Sequence, residues 1–122
     1  MANPHIYFSV TELEQRQQQV RKELVNRGLD GMLLFKIEDM YWLCGLDTDG
    51  FSIFHSMFIG VDGELTHVTR SADLASIKHS STCEDVRLWV DSPDNPSVNA
   101  IRDMLDSHGM RGKRIGIQYD TF

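Results

Sequence analysis

The stretch Gly28-Leu-Asp-Gly-Met-Leu-Leu-Phe35, followed after a short gap by Asp39-Met-Tyr-Trp-Leu-Cys-Gly45, decides the fold of this chain. Gly28 is placed to end a helix, because glycine adopts the left-handed conformation that terminates helices. The run from Gly31 to Phe35 shows no polar alternation, which is typical of a strand covered on both faces. An aromatic turn of helix then closes at Gly45. This order predicts an α/β domain with its first strand in the centre of the sheet.

The segment before Gly28 predicts a long amphipathic helix. Ser9-Val-Thr-Glu12 fits a capping box, in which the Ser9 hydroxyl accepts from the Glu12 amide and the Glu12 carboxylate reaches back. Phe8 and Leu13 stand where a hydrophobic staple would join them. The helix is expected to run to about Arg27, with one apolar face made of Leu13, Val20 and Leu24.

The remainder of the chain predicts further strands and helices. Asp62-Gly63 is a hairpin signal between two strands, which makes those strands antiparallel neighbours. Ser71 and Asn95 are candidate N-caps of two helices, the second ending at Gly109. The strands are expected at residues 51–60, 65–69, 86–90 and 114–118. The whole order predicts a three-layer α/β/α domain with a mixed sheet of five strands, in which strand 51–60 runs antiparallel to the others.

Composition limits the classes of protein to which the chain can belong. A length of 122 residues with 41% hydrophobic and 25% charged residues is ordinary for one globular domain. The net charge is −6, and Lys and Arg are scattered, so the basic surface that nucleic-acid binding needs is absent. No apolar run approaches the roughly 18 residues of a membrane span, and the N-terminus lacks the pattern of a signal peptide. A cytoplasmic protein that binds neither nucleic acid nor membrane is therefore expected.

Motifs for metal binding or catalysis are missing from the sequence. The five histidines form no i,i+4 pair and no His-x-His, so we expect no metal site in this chain. Cys44 and Cys83 lie too far apart for a CxxC pair and are expected to be reduced, buried thiols. There is neither a glycine-rich phosphate loop nor a G-x-S-x-G turn. From the residues alone, the chain is predicted to hold no catalytic residue.

Two places remain candidates for function. Residues 47–50 form a polar loop that leads to Phe51 and His55, and loops that follow a buried strand often carry function. The alternative is that these large side chains fill the core. Arg70 stands at a strand-to-helix corner, where it either pairs with Asp73 or offers its guanidinium fork to a substrate carboxylate.

The motif Gly28-Leu-Asp30, the apolar strand and the turn Asp39-Met-Tyr-Trp-Leu-Cys-Gly45 resemble the N-terminal domain of the creatinase, prolidase and aminopeptidase P family, the pita-bread metallohydrolases. The resemblance covers the chain from about Phe8 to Phe122 and implies a ribonuclease-H-like α/β topology. In that family a pita-bread domain follows, holding two divalent metals (manganese, cobalt or zinc) through two Asp, one His and two Glu. None of those ligands can be placed on this sequence. We therefore expect residues 1–122 to be a truncated part of a longer protein that lacks its catalytic domain.

The resemblance also implies a role for this half of the protein. In the family this domain mainly builds the dimer, and its loops cover the active site of the neighbouring subunit. By order and length, residues 47–55 and the corner at Arg70 correspond to the parts that reach across. Phe51, His55 and Arg70 are thus expected to restrict substrate, and the expected partners are the chain's own pita-bread domain and a second identical subunit.

Two classes of function remain open from the sequence. In the first, the parent protein is a metal-dependent hydrolase acting on Xaa-Pro peptides or on a creatine-like C–N substrate, and the sequence does not choose between these substrates. In the second, the parent is a metal-free pseudo-enzyme that acts as a protein-binding module. The residues that would decide between them belong to the missing half.

Overall fold

The computed structural model describes residues 9–46, 55–63, 65–70, 83–89 and 97–118. The predicted helix after Ser71, the Phe8 staple and the first residues of predicted strand 51–60 lie outside these ranges. In the described part, the helices are α1 (Val10–Asn26), α2 (Ile37–Cys44) and α3 (Ser97–Ser107). The strands are β1 (Gly31–Leu34), β2 (Ser56–Gly60), β3 (Thr66–Arg70), β4 (Asp85–Trp89) and β5 (Ile115–Ile117).

The five strands form one mixed sheet in the order β4-β3-β2-β1-β5. β2 is antiparallel to both of its neighbours, whereas β1 is parallel to β5 and β3 is parallel to β4. β2 therefore runs against the other four strands, as predicted. The prediction that the first strand is central is wrong, because β2 occupies the centre and β1 lies one strand from the edge. Burial on both faces marks a strand as interior without telling how many strands lie beyond it.

Local signals at the helix ends act as expected. The Ser9 hydroxyl accepts from the Glu12 amide at 3.1 Å, which confirms the N-cap of α1. The Glu12 carboxylate pairs with Arg16 at 2.9 Å, one turn further along the helix. Gly28 and Gly45 follow α1 and α2 with φ angles of 69° and 80°, in the left-handed region that ends helices.

The helices cover both faces of the sheet, so the three-layer prediction is confirmed. α1 and α2 pack on one face, here called the α1/α2 face, over Leu34, Met57 and Ile59. α3 packs on the other, here called the α3 face, over Leu33 and Phe58. Because Leu33 and Leu34 belong to different cores, β1 is apolar at successive positions. Cys44 and Cys83 are buried, as expected, and each thiol donates to a backbone carbonyl, of Met40 and Leu65 respectively.

Candidate functional site

The strand directions bring two of the predicted gating residues to the same edge of the sheet. β3 ends at Arg70, β4 ends at Trp89, and His55 immediately precedes β2, which starts where its neighbours end. We call the edge formed by His55, Arg70 and Trp89 the carboxyl edge. In open α/β sheets, ligands bind outside the carboxyl ends of the strands. Phe51, the third predicted gating residue, lies outside the described residues.

His55 and Arg70 share this edge but lie on opposite faces of the sheet. Successive side chains of a strand alternate between faces. Leu65 belongs to the core under α1 and α2, and Val68 belongs to the core under α3. Arg70 therefore lies on the α3 face, whereas His55 lies with Met57 on the α1/α2 face. The structure brings the two residues to one end of the sheet without placing them in one pocket.

His55 is part of a buried polar cluster. Its side chain is only 2% exposed, and its Nδ1 lies 3.1 Å from Nε2 of His67 and 3.1 Å from Oγ1 of Thr69. The two imidazole rings stack with centroids 5.3 Å apart. We call His55, His67 and Thr69 the His55 cluster. This burial is what the core interpretation of His55 expects, and its contact with a second subunit stays a prediction.

The environment of the His55 cluster keeps His67 neutral. Burial, and secondly the neighbouring His55, lowers the pKa of His67 from 6.5 to about 3. His67 is fully buried, and its Nδ1 has no hydrogen-bond partner in the described part of the chain. Sequence reasoning missed His67 because a spacing of twelve residues from His55 is no motif. The sequence signal that could have found His67 is the hairpin turn at Asp62-Gly63. The register of this hairpin places His67 opposite Met57, which lies on the same face of β2 as His55.

A second polar cluster joins β3, β4 and the end of α3 on the other face. The Thr66 hydroxyl donates to the Asp85 carboxylate at 2.7 Å, so it accepts from Nε2 of His108, also at 2.7 Å. Arg87 donates to both oxygens of Asp85 at 3.3 Å and to Ser107 at 2.6 Å. Burial would raise the pKa of Asp85, but hydrogen bonds from Arg87 and Thr66 hold it below its usual value.

This second cluster has the residue types of a catalytic triad without its geometry. In a triad the imidazole takes the proton of the hydroxyl and is oriented by the carboxylate. Here the hydroxyl of Thr66 donates its hydrogen bond to Asp85, and Nε2 of His108 donates to the hydroxyl oxygen. The arrangement ties three elements together and has no activated nucleophile.

The described residues do not fit the dinuclear metal centre that the resemblance implies. Within those ranges, no group of three or more His, Cys, Asp or Glu side chains is placed to hold a metal ion. No described helix is long and apolar enough to cross a membrane. An open depression of about 670 Å³ is lined by polar residues of α1, among them Gln15, Gln18 and Lys22, and contains none of the predicted gating residues.

Comparison with known proteins shows the family. The model of the creatinase/prolidase N-terminal domain matches residues 16–122. The chain belongs to this family. Among curated proteins, an uncharacterised hydrolase/peptidase, y4tM of Sinorhizobium fredii, is 23% identical over 96% of this chain. The creatinase/prolidase N-terminal domain described here spans about a third (32%) of that relative's length.

Solved structures of peptidases share this fold at low sequence identity. The dipeptidase of Pyrococcus horikoshii superposes with a TM-score of 0.72 at 19% identity, over 88% of this chain and 29% of its own. Dipeptidase PepE of Mycobacterium ulcerans gives 0.69 at 23% identity, over 81% of this chain and 27% of its own. The creatinase/prolidase N-terminal domain of an X-Pro dipeptidase from Streptococcus pyogenes gives 0.66 at 14% identity, over 84% of this chain and 92% of its own.

Proposed function

We propose that this chain is the non-catalytic N-terminal domain of a metal-dependent hydrolase of the Xaa-Pro dipeptidase, aminopeptidase P or creatinase type. In this proposal it forms dimer contacts and restricts which substrates enter the active site of the second subunit. The observation that carries the proposal is the family match over residues 16–122 in a chain that spans 32% of its hydrolase/peptidase relative. The metal, which we expect to be manganese, cobalt or zinc, would lie in the following pita-bread domain.

Arg70 is the residue of the proposed gate that has a direct chemical use. Its guanidinium is planar and permanently charged, so it can bind a carboxylate through two parallel hydrogen bonds. It stands at the last position of β3, on the α3 face of the sheet, and its side chain is part-buried. A dipeptide carries a free carboxylate one residue from the scissile bond. Binding that carboxylate would favour dipeptides over longer or amidated substrates.

Phe51 and His55 complete the proposed gate. His55 lies at the same edge as Arg70. Phe51 precedes His55 by four residues in the sequence and is a proposed member of the gate on that ground alone. Because the His55 side chain is buried, its part in gating is to fix where β2 begins. Phe51 would supply the apolar surface that limits substrate size.

Kinetics of the full-length protein test the gate. Arg70→Ala should raise KM for an Xaa-Pro dipeptide by about tenfold or more, since a hydrogen bond to a charged group contributes roughly 1.5–3 kcal/mol. The same variant should leave KM for the matching dipeptide amide nearly unchanged, and Arg70→Lys should fall between. Arg27→Ala is a matched control, because Arg27 is an exposed arginine at the end of α1.

Two results would count against the proposal in different ways. Equal KM values for Arg70→Ala and the parent, on both substrates, would remove Arg70 from substrate recognition. A full-length protein that binds no divalent metal and hydrolyses no Xaa-Pro or creatine-like substrate would favour the alternative of a protein-binding pseudo-enzyme.

A further inference from the structure

The strand β5 is short and lies at the edge of the sheet. It has three residues, Ile115–Ile117, and in the described part of the chain it pairs only with β1. The side chain of Ile117 is 59% exposed, so β5 buries only part of its apolar surface. Regions with few buried contacts open more easily than the core of a domain. Contacts at the ends of β5 therefore matter for keeping it on the sheet.

Hydrogen bonds hold β5 at both of its ends. At the start, Oδ2 of Asp30 accepts from the Arg114 amide at 3.0 Å, and the Asp30 amide donates to the Arg114 carbonyl at 2.7 Å. At the end, the Gln118 amide donates to the Leu33 carbonyl at 3.1 Å. Because β1 and β5 are parallel and Asp30 directly precedes β1, these two contacts lie at opposite edges of the sheet.

The side chain of Gln118 connects the end of β5 to the start of α2. Its Oε1 accepts from the amides of Phe35 and Lys36 at 3.0 Å and 2.9 Å, and its Nε2 donates to Oδ2 of Asp39. We call these three contacts the Gln118 clasp. A carboxamide carries both an acceptor and a donor, so glutamine serves the two backbone amides and the carboxylate together.

The start of α2 depends on this clasp. α2 has eight residues, whereas isolated helices shorter than about 12–15 residues are marginal in water. Its N-cap residue, Lys36, makes no side-chain cap hydrogen bond. In a capping box, the third helical residue reaches back to the N-cap amide. Asp39 holds that third position, and Gln118 lies between its carboxylate and the Lys36 amide, so a residue of β5's end completes the cap of α2.

The other end of α2 is held by α1 and does not involve β5. Nη1 of Arg16 donates to the Trp42 carbonyl, and Nε2 of Gln17 donates to the Leu43 carbonyl, both at 2.9 Å. These contacts satisfy carbonyls that a helix leaves open at its C-terminus. Departure of β5 would therefore remove the cap at the start of α2 and leave the anchor at its end.

We propose that Gln118 couples the docking of β5 to the folding of α2, so that the two elements open together as one unit while the rest of the sheet stays closed. The coupling is a property of the domain itself. Its bearing on substrate rests on the proposed function: residues 47–55 follow α2 almost directly in the sequence, so this unit would fix the start of the predicted gating segment.

Native-state hydrogen exchange of the 122-residue chain tests the coupling from a distance. Asp30→Ala removes the acceptor at the start of β5, at the opposite edge of the sheet from the Gln118 clasp. We expect it to speed exchange of the α2 amides of Met40 and Tyr41 about tenfold, since a hydrogen bond to a carboxylate is lost. The amides of β3 should keep the parent's rates. Unchanged rates in α2 would overturn the coupling.

Thr66→Val is the matched control for this experiment. It also removes hydrogen bonds of one side chain, those to Asp85 and His108, but it lies in β3 and contacts neither β5 nor α2. Exchange in α2 should stay at the parent's rate, because the unit opens without unfolding of the whole domain. Equal acceleration by Asp30→Ala and Thr66→Val would mean that α2 opens only by global unfolding, and would also overturn the proposal.

A reversal of the clasp supplies a second test, which decides even if Asp30→Ala fails to fold. Gln118→Glu keeps an acceptor for the Phe35 and Lys36 amides but sets a carboxylate against that of Asp39, so exchange in α2 and at the end of β5 should rise about tenfold. Adding Asp39→Asn gives the new carboxylate a donor and should return both sets of rates toward the parent's. Parent-like rates in Gln118→Glu, or no recovery in the double variant, would contradict the clasp.

Discussion

At Gly31, β1 comes so close to the ring of Phe58 on β2 that a side chain has no room. A Cβ at this position would overlap the ring edge and would lie 3.2 Å from the Ile59 carbonyl oxygen. Both neighbours are rigid, since one is an aromatic ring held in the core and the other is strand backbone. A residue without a side chain is therefore required where β1 and β2 pair.

Gly31→Ala should lower the free energy of unfolding by about 2 kcal/mol, within the range of overpacked core sites. Gly116→Ala in β5 is the matched control, because its Cβ would meet the flexible end of Leu29 at 3.2 Å. We expect the control to cost less than about 1 kcal/mol in urea unfolding. Equal costs for the two substitutions would show that the close approach at Gly31 is not limiting.

At the scale of the elements, α1 depends on an N-cap that the sequence predicts. Ser9→Ala should lower the free energy of unfolding by about 1 kcal/mol, because the Glu12 amide loses its acceptor. Ser9→Asp keeps an acceptor at the same place and should remain within about 0.5 kcal/mol of the parent. Thermal unfolding followed by circular dichroism measures both. A Ser9→Ala variant as stable as the parent would mean that the first turn of α1 adds little to the fold.

Elements set by local signals were predictable from the sequence, and arrangements set by distant pairing were not. The Ser9 cap, the terminating glycines and the Asp62-Gly63 turn act within a few residues, so α1, α2 and the β2–β3 pairing followed from them. β3, β4 and β5 begin and end within one residue of the prediction. The rank of β1 in the sheet depends on β5, more than eighty residues away, and no local pattern encodes it.

The candidate site shows the same division. The edge position of Arg70 followed from its place at the end of a predicted strand. The burial of His55 did not, because it results from the register that brings His67 and Thr69 beside it. A histidine next to aromatic residues has the same sequence pattern whether it serves in a functional loop or packs in the core. The sequence therefore did not distinguish these two interpretations of His55.

At the scale of the whole molecule, we propose that the chemistry belongs to a pita-bread domain outside this chain. We expect the purified 122-residue chain to bind no stoichiometric divalent metal and to cleave no Xaa-Pro dipeptide. The reason is that no cluster of three or more potential ligands occurs in the part of the chain that the structure describes. Metal analysis after dialysis against manganese, cobalt or zinc measures this. A dinuclear metal site in the isolated chain would contradict the proposal that the metal centre lies outside this domain.

We propose that this domain acts on the active site of the other subunit, and subunit mixing tests this proposal most directly. Full-length subunits that carry Arg70→Ala are mixed with subunits whose metal ligands have been removed but whose Arg70 is intact. In the mixed dimer, the active site that retains its metal faces an intact Arg70 on the inactive subunit. We predict that this dimer regains the parent's KM for an Xaa-Pro dipeptide. A KM that stays at the Arg70→Ala value would contradict the claim, because Arg70 would then act within its own subunit.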